Sequence, residues 1–468
     1  MKKQKCLLIF AASNFQTQMK KIITAALIAL QFTAVFAQQA ADTIPVPAKV
    51  SKFPKVKLYG ILRVDFYYNS RQMEESSDGF ALVLPKAEDI DANGKDLNAA
   101  QMTGFTATAT RFGIDLEAFY LKALKTTVTG RIETDFQGFG SSVTMLRIRH
   151  AWINMAFKNS ELLVGQYWHP LFEGVVPNVL DVNGGHPYQP FGRHPQVKFT
   201  YKPKNMQLFV AGAYQTQFLS TGVDANGNSS GRNLSFQKFA LLPDLNAGIE
   251  YSKETWKIGL MGEYKQIVPR TVANVASTDD NGDPVIDTDG NPVINAVYVK
   301  EKVQSYAVAA YGQYSQKAVT LKAKAVYGQN LSDLSMIGGY AATAVNDKGE
   351  WTYKAFDVAT AWLNADFNIT KNWQISIYGG YTKNLGCNSQ VLTNTSVYGS
   401  LLYAGQMIDQ AWRASALLSY RILNWNAVLE YGYNRAYYGD FDISKGKAVN
   451  AGNGIGGSRL LAVLMYSF

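Results

Sequence analysis

The chain has 468 residues, is 47% hydrophobic and 13% aromatic, and carries a formal charge of +9. The charge misleads: Lys2, Lys3, Lys5, Lys20 and Lys21 lie in residues 1–37 with no acid, so removing that segment takes +9 to +4 and excludes a nucleic-acid-binding body. Two cysteines, Cys6 and Cys387, exclude a disulfide-built scaffold, because Cys6 falls in the removable part and the remaining chain can form no internal bridge.

In chain order, residues 19–39 (MKKIITAALIALQFTAVFAQQ) read as a secretory signal: two lysines, the apolar run Ile22–Phe36 and the small-residue site Val35-Phe36-Ala37. Residues 1–37 are therefore expected to be a signal peptide, with Met19 a candidate start, and residues 38–54 a polar, Pro-containing lead-in. After the signal no apolar run approaches the ~20 residues of a membrane-crossing helix. A membrane form of residues 55–468 must then be a closed barrel.

Those residues keep a two-residue beat. In LYGILRVDFYY (58–68), Leu58, Gly60, Leu62, Val64, Phe66 and Tyr68 face one way, Arg63 and Asp65 the other. Phe112, Ile114 and Leu116 oppose Arg111, Asp115 and Glu117. Val128, Gly130, Ile132, Thr134 and Phe136 oppose Thr129, Arg131, Glu133 and Asp135. Leu146, Ile148 and Trp152 oppose Arg147 and Arg149, which leaves His150 on the apolar face, where a subunit contact suits it. The beat continues around Lys198, Lys257, Glu263, Lys322, Lys324, Arg413 and Glu430 to the last strand, Leu460–Phe468.

The connections decide between a soluble sheet and a membrane wall. Short links at 120–123, 158–161, 202–205, 252–255, 315–318, 368–373 and 422–425 alternate with long ones near 69–104, 137–143, 168–195, 218–240, 268–299, 329–352, 386–405 and 438–455. Tight turns on one rim and long loops on the other predict an all-β fold: a transmembrane antiparallel β-barrel of about 16 strands, both ends on the periplasmic side. Aromatics bunch at strand ends as interfacial girdles do. The terminal Phe468 resembles the signature by which barrel assembly machinery takes up outer-membrane clients, so that machinery and outer-membrane lipid are expected partners.

A barrel of that size encloses water, so function follows from what lines it. Five arginines (Arg63, Arg111, Arg131, Arg147, Arg149) fall on the first four strands beside Glu133 and Asp135. Clustered guanidiniums concentrate anions, and the neighbouring acids turn a uniform field into a transverse one. Loop 168–195 is too apolar for a free loop: Phe172, Val175, Val176, Val179 and Leu180 want burial. Folding into the barrel would narrow it and bring Glu173 and Asp181 to face the arginines. The expected constriction is therefore Arg63, Arg111, Arg131, Arg147, Arg149, Glu133, Asp135, Glu173 and Asp181, with small anionic solutes as partners.

The segments TRFGIDL (110–116), GRIETDF (130–136), LRIRHAW (146–152), VGQYWHPLF (164–172) and VPNVLD (176–181), taken in order, resemble the DcaP-like trimeric outer-membrane porin family. Arg111, Arg131, Glu133, Asp135, Arg147, Arg149, His150, Gln166 and Trp168 match its pattern, and Ile148 stands where Leu is usual. The resemblance implies a 16-stranded homotrimer with a basic eyelet favouring dicarboxylate-type anions.

Other signals have blander readings. His169 with Glu173, and His186 with His194, lack the tight spacing of zinc ligands. The near-repeat DDNGDPVI (279–286) and DTDGNPVI (287–294), like DANG at 91–94 and 224–227, lacks the terminal Glu of a calcium loop and reads as hairpin tips. No serine joins His150 by register, no metal or cofactor site is expected, and no enzyme motif appears. The alternative to a porin is a non-conducting surface barrel, an adhesin or structural protein plugged by its loops.

Overall fold

In the computed structural model, residues 53–468 are described, apart from 76–81, 139–143, 181–183, 280–282 and 404. The expected signal and most of the lead-in lie outside the described residues. Sixteen long antiparallel strands form a closed ring: β1 (Val56–Asn69), β2 (Arg111–Leu121), β3 (Thr126–Gly138), β4 (Met145–Ala156), β5 (Ser160–Trp168), β6 (Arg193–Tyr201), β7 (Met206–Ala213), β8 (Asp244–Lys253), β9 (Trp256–Ile267), β10 (Val303–Ser315), β11 (Val319–Gln329), β12 (Asp357–Asn368), β13 (Trp373–Gly386), β14 (Gln406–Ile422), β15 (Trp425–Asp442) and β16 (Ile455–Ser467). Each pairs with its chain neighbours, and β1 pairs with β16 from Ile61↔Ser467 to Asn69↔Arg459. Gly60 and Phe468 exchange both backbone hydrogen bonds at 3.1 Å, so the last residue fastens the seam. Closure removes every edge, as a bilayer demands.

Alternation puts the expected residues outside. Leu58, Leu62, Phe66, Ile114, Ile132, Ile258, Leu260, Ile377, Leu429 and Leu464 are exposed, while Arg63, Asp65, Glu133, Asp135, Glu263, Lys324, Arg413 and Glu430 are buried. Charged side chains wrapped inside an apolar wall fit a bilayer and not water. On the short-turn rim, cross-strand pairs Trp256–Tyr314, Trp373–Tyr420 and Trp425–Tyr466 sit 4.6–4.8 Å apart and form one aromatic girdle.

The long connections are not free. Met102–Thr106, expected in a loop, forms a strand that extends the pairing of β1 (Asp65↔Thr106 to Asn69↔Met102). Outer segments Gly338–Val345, Trp351–Ala355 and Val397–Ser400 make their own small sheet. Its Tyr340 and Tyr398 pack with Val223, Phe236 and Tyr353 in a separate apolar cluster. Below it a larger core joins loop residues Leu84, Leu171, Val175, Tyr188, Leu334 and Ile337 to wall residues Tyr311, Trp362, Tyr378 and Tyr438. One side of the interior is thus packed, and the charged side chains of β1–β4 gather on the other.

Candidate constriction and its arginine wall

The arginine wall is built by register. Paired residues across antiparallel strands share a face, and Asp135 pairs with Arg147, Asp115 with Arg131. Arg147 Nε donates to Asp135 Oδ1 at 2.6 Å, and its Nη2 reaches Asp135 Oδ2 at 3.0 Å and Gln137 Oε1 at 3.1 Å. Arg149 Nε donates to Glu133 Oε1 at 2.6 Å and its Nη1 to Asp135 Oδ2 at 2.8 Å. Arg131 forks onto Asp115 at 2.6 and 2.9 Å and lies 4.6 Å over the Tyr59 ring, whose hydroxyl donates to Glu133 at 2.9 Å. Arg63 holds Asp65 at 2.6 Å and reaches the carbonyl of Leu180 at 2.8 Å. Arg111 stands on β2 with its buried Nε unpartnered among the described residues.

Two irregularities shape this wall. The β3–β4 register shifts between Glu133 and Thr134: Glu133 faces His150 and Thr134 faces Ile148, so Arg149 is one residue too many. That bulge sends both Arg149 and His150 inward. His150, expected outside, is buried 5.1 Å from the Trp168 ring. Beyond the bulge Ile153 is the exposed residue and Trp152 pairs with Arg131, so the outward assignment of Trp152 is corrected too. Gly165, opposite Trp152, has φ +128°, and a Cβ there would stand 2.2 Å from the Ala151 carbonyl.

Loop 169–192 folds inside, as its apolar residues require; Leu171, Phe172, Val175 and Leu180 are buried and Val179 packs on the core. It follows the inner wall away from β2–β4. Lys324 on β11 donates to the carbonyls of Leu171, Phe172 and Glu173 at 2.8–3.1 Å. Tyr311 on β10 lies flat against Gly174, where φ is +79° and a Cβ would meet the ring at 2.4 Å. Asn178 bonds to Asn364, Asp366, Gln374 and Ser376 on β12 and β13. The Leu180 N–H donates to Glu430 on β15 at 2.6 Å. On the return, Tyr378 donates to Gly185 O, and Gln189 takes the Trp362 Nε1–H at 2.7 Å while donating to Phe172 O. The loop thus runs along β10–β15 and ends against Arg63, opposite the guanidiniums of β2–β4.

Of the nine expected constriction residues, Arg63, Arg111, Arg131, Arg147, Arg149, Glu133 and Asp135 come together on β1–β4. Glu173 does not face them: it pairs with Lys198 on β6, because Lys324 and Tyr311 pin its backbone to the far wall. Asp181 lies outside the described residues. Arg193, which sequence reasoning missed, is 1% exposed, 4.7 Å over the Trp168 ring and 5.3 Å from Phe191, with both terminal nitrogens unpartnered among the described residues. Its signal was an arginine at the end of an aromatic loop, too common a pattern to stand out.

Among the described residues no group of three or more His, Cys, Asp or Glu has the arrangement of a metal site. His169 faces Glu263 at 3.2 Å, not Glu173. The Asp-x-x-Gly tips spend their carboxylates on backbone: Asp287 accepts from Asp289 and Asn291, Asp224 from Asn226 and Asn228, Asp91 from Asn93 and Lys95. The N–H groups of Lys95 and Asn93 hold the Asp91 carboxyl below its ordinary value. In the outer turn 331–334, burial pushes the Asp333 carboxyl up, against the pull of Lys265.

No family model and no curated protein matches the sequence. Among solved structures, the outer-membrane channel DcaP of Acinetobacter baumannii matches with TM-score 0.60 at 18% identity, covering 90% of this chain and 100% of that one. OmpT of Vibrio cholerae matches with TM-score 0.49 at 10% identity, covering 91% and 100%. The anion-selective porin from Comamonas acidovorans matches with TM-score 0.49 at 10% identity, covering 89% and 100%. The chain therefore has the fold of the outer-membrane channels, with the likeness to DcaP that its strand motifs announce, and the localisation this fold implies is the bacterial outer membrane.

Proposed function

We propose that the protein is an outer-membrane porin giving passive diffusion to small hydrophilic solutes, with a lean toward anions of dicarboxylate type. One observation carries the reading: loop 169–192 lies along β10–β15 and leaves a wall of guanidiniums on β2–β4 uncovered by it. On β2–β4, four arginines (Arg111, Arg131, Arg147, Arg149) stand against the three acids of the wall (Asp115, Glu133, Asp135), a local excess of one positive charge. An anion sliding past meets a face of acid-paired guanidiniums on one side and backbone-pinned loop on the other, a transverse arrangement of charge that orients and selects charged solutes. The likeness to DcaP supports the reading, and a homotrimer in outer-membrane lipid, delivered by barrel assembly machinery, goes with it.

Purified protein in a planar bilayer is expected to give current steps in multiples of three that favour anions. Arg147→Glu with Arg149→Glu then lowers or inverts that preference; unchanged selectivity would reject the arginine wall as the filter. A second reading, the non-conducting surface barrel, has an observation of its own. The apolar core of Leu171, Tyr188, Leu334, Ile337 and Trp362 fills part of the interior. An electrically silent barrel would favour it.

A further inference from the structure

The outer loops carry polar clefts that the barrel interior does not use. Three long connections meet there: 218–240 between β7 and β8, 268–299 between β9 and β10, and 329–352 between β11 and β12. Arg270 fastens them. Its guanidinium forks onto Glu301 at 2.9–3.1 Å and reaches the carbonyls of Ala225 at 3.3 Å and Gly349 at 3.2 Å. It also lies 4.3 Å over the Trp351 ring. Glu301 accepts in addition from the Trp351 N–H at 2.8 Å and the Tyr353 hydroxyl at 2.6 Å. Both members of the ion pair are buried, so their charges are spent on each other.

Two clefts adjoin this junction, and Arg270 and Ala225 line both. The first, of about 270 Å³, lies among Asn226, Asn274, Val275, Asp347 and Trp351. The Asn274 N–H donates to Ala225 O at 2.8 Å, which brings the Asn274 and Asn226 side chains together, amide to amide at 2.7 Å. Whichever way the two amides are turned, that bond leaves one NH₂ and one carbonyl of the pair with no partner among the described residues. The exposed Asp347 carboxylate bonds to no described residue either. The second cleft, of about 340 Å³, lies among Ser230, Asn233, Ser235, Phe239 and Thr271, with Phe239 51% exposed. Since Glu301 neutralises Arg270, neither cleft offers an anion a free cation. One carboxylate is too little for a metal ion, which takes several oxygens. What remains is neutral amides and hydroxyls beside an aromatic ring. A sugar matches that lining: each hydroxyl both donates and accepts, and the C–H face of the ring packs on an aromatic surface. Two clefts joined at one residue suit successive rings of a chain.

We propose that the outer loops bind a neutral oligosaccharide from the medium. One ring sits against Trp351, Asn226, Asn274 and Asp347, and the next against Phe239, Ser230 and Thr271. Arg270 is a positioning residue: it holds the Trp351 ring and joins the two clefts. The site belongs to the long-loop rim and uses none of the arginines of β2–β4, so it stands for a conducting and for a silent barrel alike.

The test is titration calorimetry on the folded, full-length barrel, in a detergent without a sugar headgroup. Maltotriose, cellotriose and mannotriose are the probes, with glucose and mannose as their single rings. At least one trisaccharide is expected to bind with a Kd of about 1 mM or tighter, and more tightly than its own monosaccharide. Asn226→Ala with Asn274→Ala changes two exposed side chains and should weaken that binding about tenfold or more, the scale of two lost hydrogen bonds. Should this variant lack the heat-modifiable gel mobility of a folded barrel, Ser230→Trp serves instead. It fills the second cleft, and trisaccharide affinity should fall to that of the single ring. Wild type that binds none of the three trisaccharides, or variants that bind as wild type does, would overturn the proposal. So would displacement by excess succinate, which would put the sugar at the arginine wall. Current plays no part in this readout, so a barrel that passes none rejects the channel reading and leaves the sugar test standing.

Discussion

Asp135 shows what the charged wall costs and what it does. Its carboxylate, 1% exposed, takes hydrogen bonds from both Arg147 and Arg149. Removing one partner of a buried ion pair leaves its mates unneutralised, typically at about 3–5 kcal/mol. Asp135→Asn is therefore expected to lower the unfolding free energy of the folded barrel, read by denaturant titration, by an amount of that order. It also adds one net positive charge at the wall, so anion preference should rise in the molecules that fold. A variant as stable as wild type would show that water in the bore screens this pair. The arginines and their acids were readable from a beat of two, as where Arg147 sits between the exposed Leu146 and Ile148. Arg193 was not, because it lies at the end of a loop whose path no local period describes.

At the scale of elements, the strands were legible and their irregularities were not. Alternation identifies a face only while register holds, and the extra residue at Arg149 turns His150 and Trp152 inward together. Nothing in LRIRHAW marks a bulge; only the strand opposite makes Arg149 supernumerary. The inward fold of loop 169–192 was legible, because Phe172, Val175 and Leu180 have nowhere else to go. Its path was not, since it depends on Lys324, Asn364 and Glu430, which lie far along the chain. Glu173 ends up beside Lys198 for that reason. Lys324 is the anchor that tests the path. Lys324→Met leaves the carbonyls of Leu171 and Glu173 without this donor, while Phe172 O keeps Gln189, and an unmet buried polar group costs about 1–3 kcal/mol. The barrel has strands enough to survive that loss, so the expected effect is on the loop: larger or noisier unit current with unchanged gel mobility. Wild-type current from this variant would mean that the loop does not bound the passage.

The whole molecule is a closed ring whose stability is collective, and its seam is where that can be weighed. Each strand is bonded on both sides, so unfolding must break the ring somewhere. The outer loops add a sheet and an apolar cluster of their own, which segregated loop lengths could not announce because loop contacts carry no period. The ring itself should resist detergent: unboiled protein is expected to migrate faster than the boiled chain, or as a trimer of it. Phe468 joins β1 to β16 through two backbone bonds to Gly60, and its ring covers the same glycine, where a Cβ would stand 2.3 Å from Cζ. Deleting Phe468 takes both bonds and the cover from one end of the seam, while the nine register pairs from Ile61↔Ser467 to Asn69↔Arg459 remain. The temperature at which the compact gel form converts should therefore fall without the form disappearing. If the truncated chain converts at the wild-type temperature, the seam is not where the ring opens, and the last residue serves assembly alone.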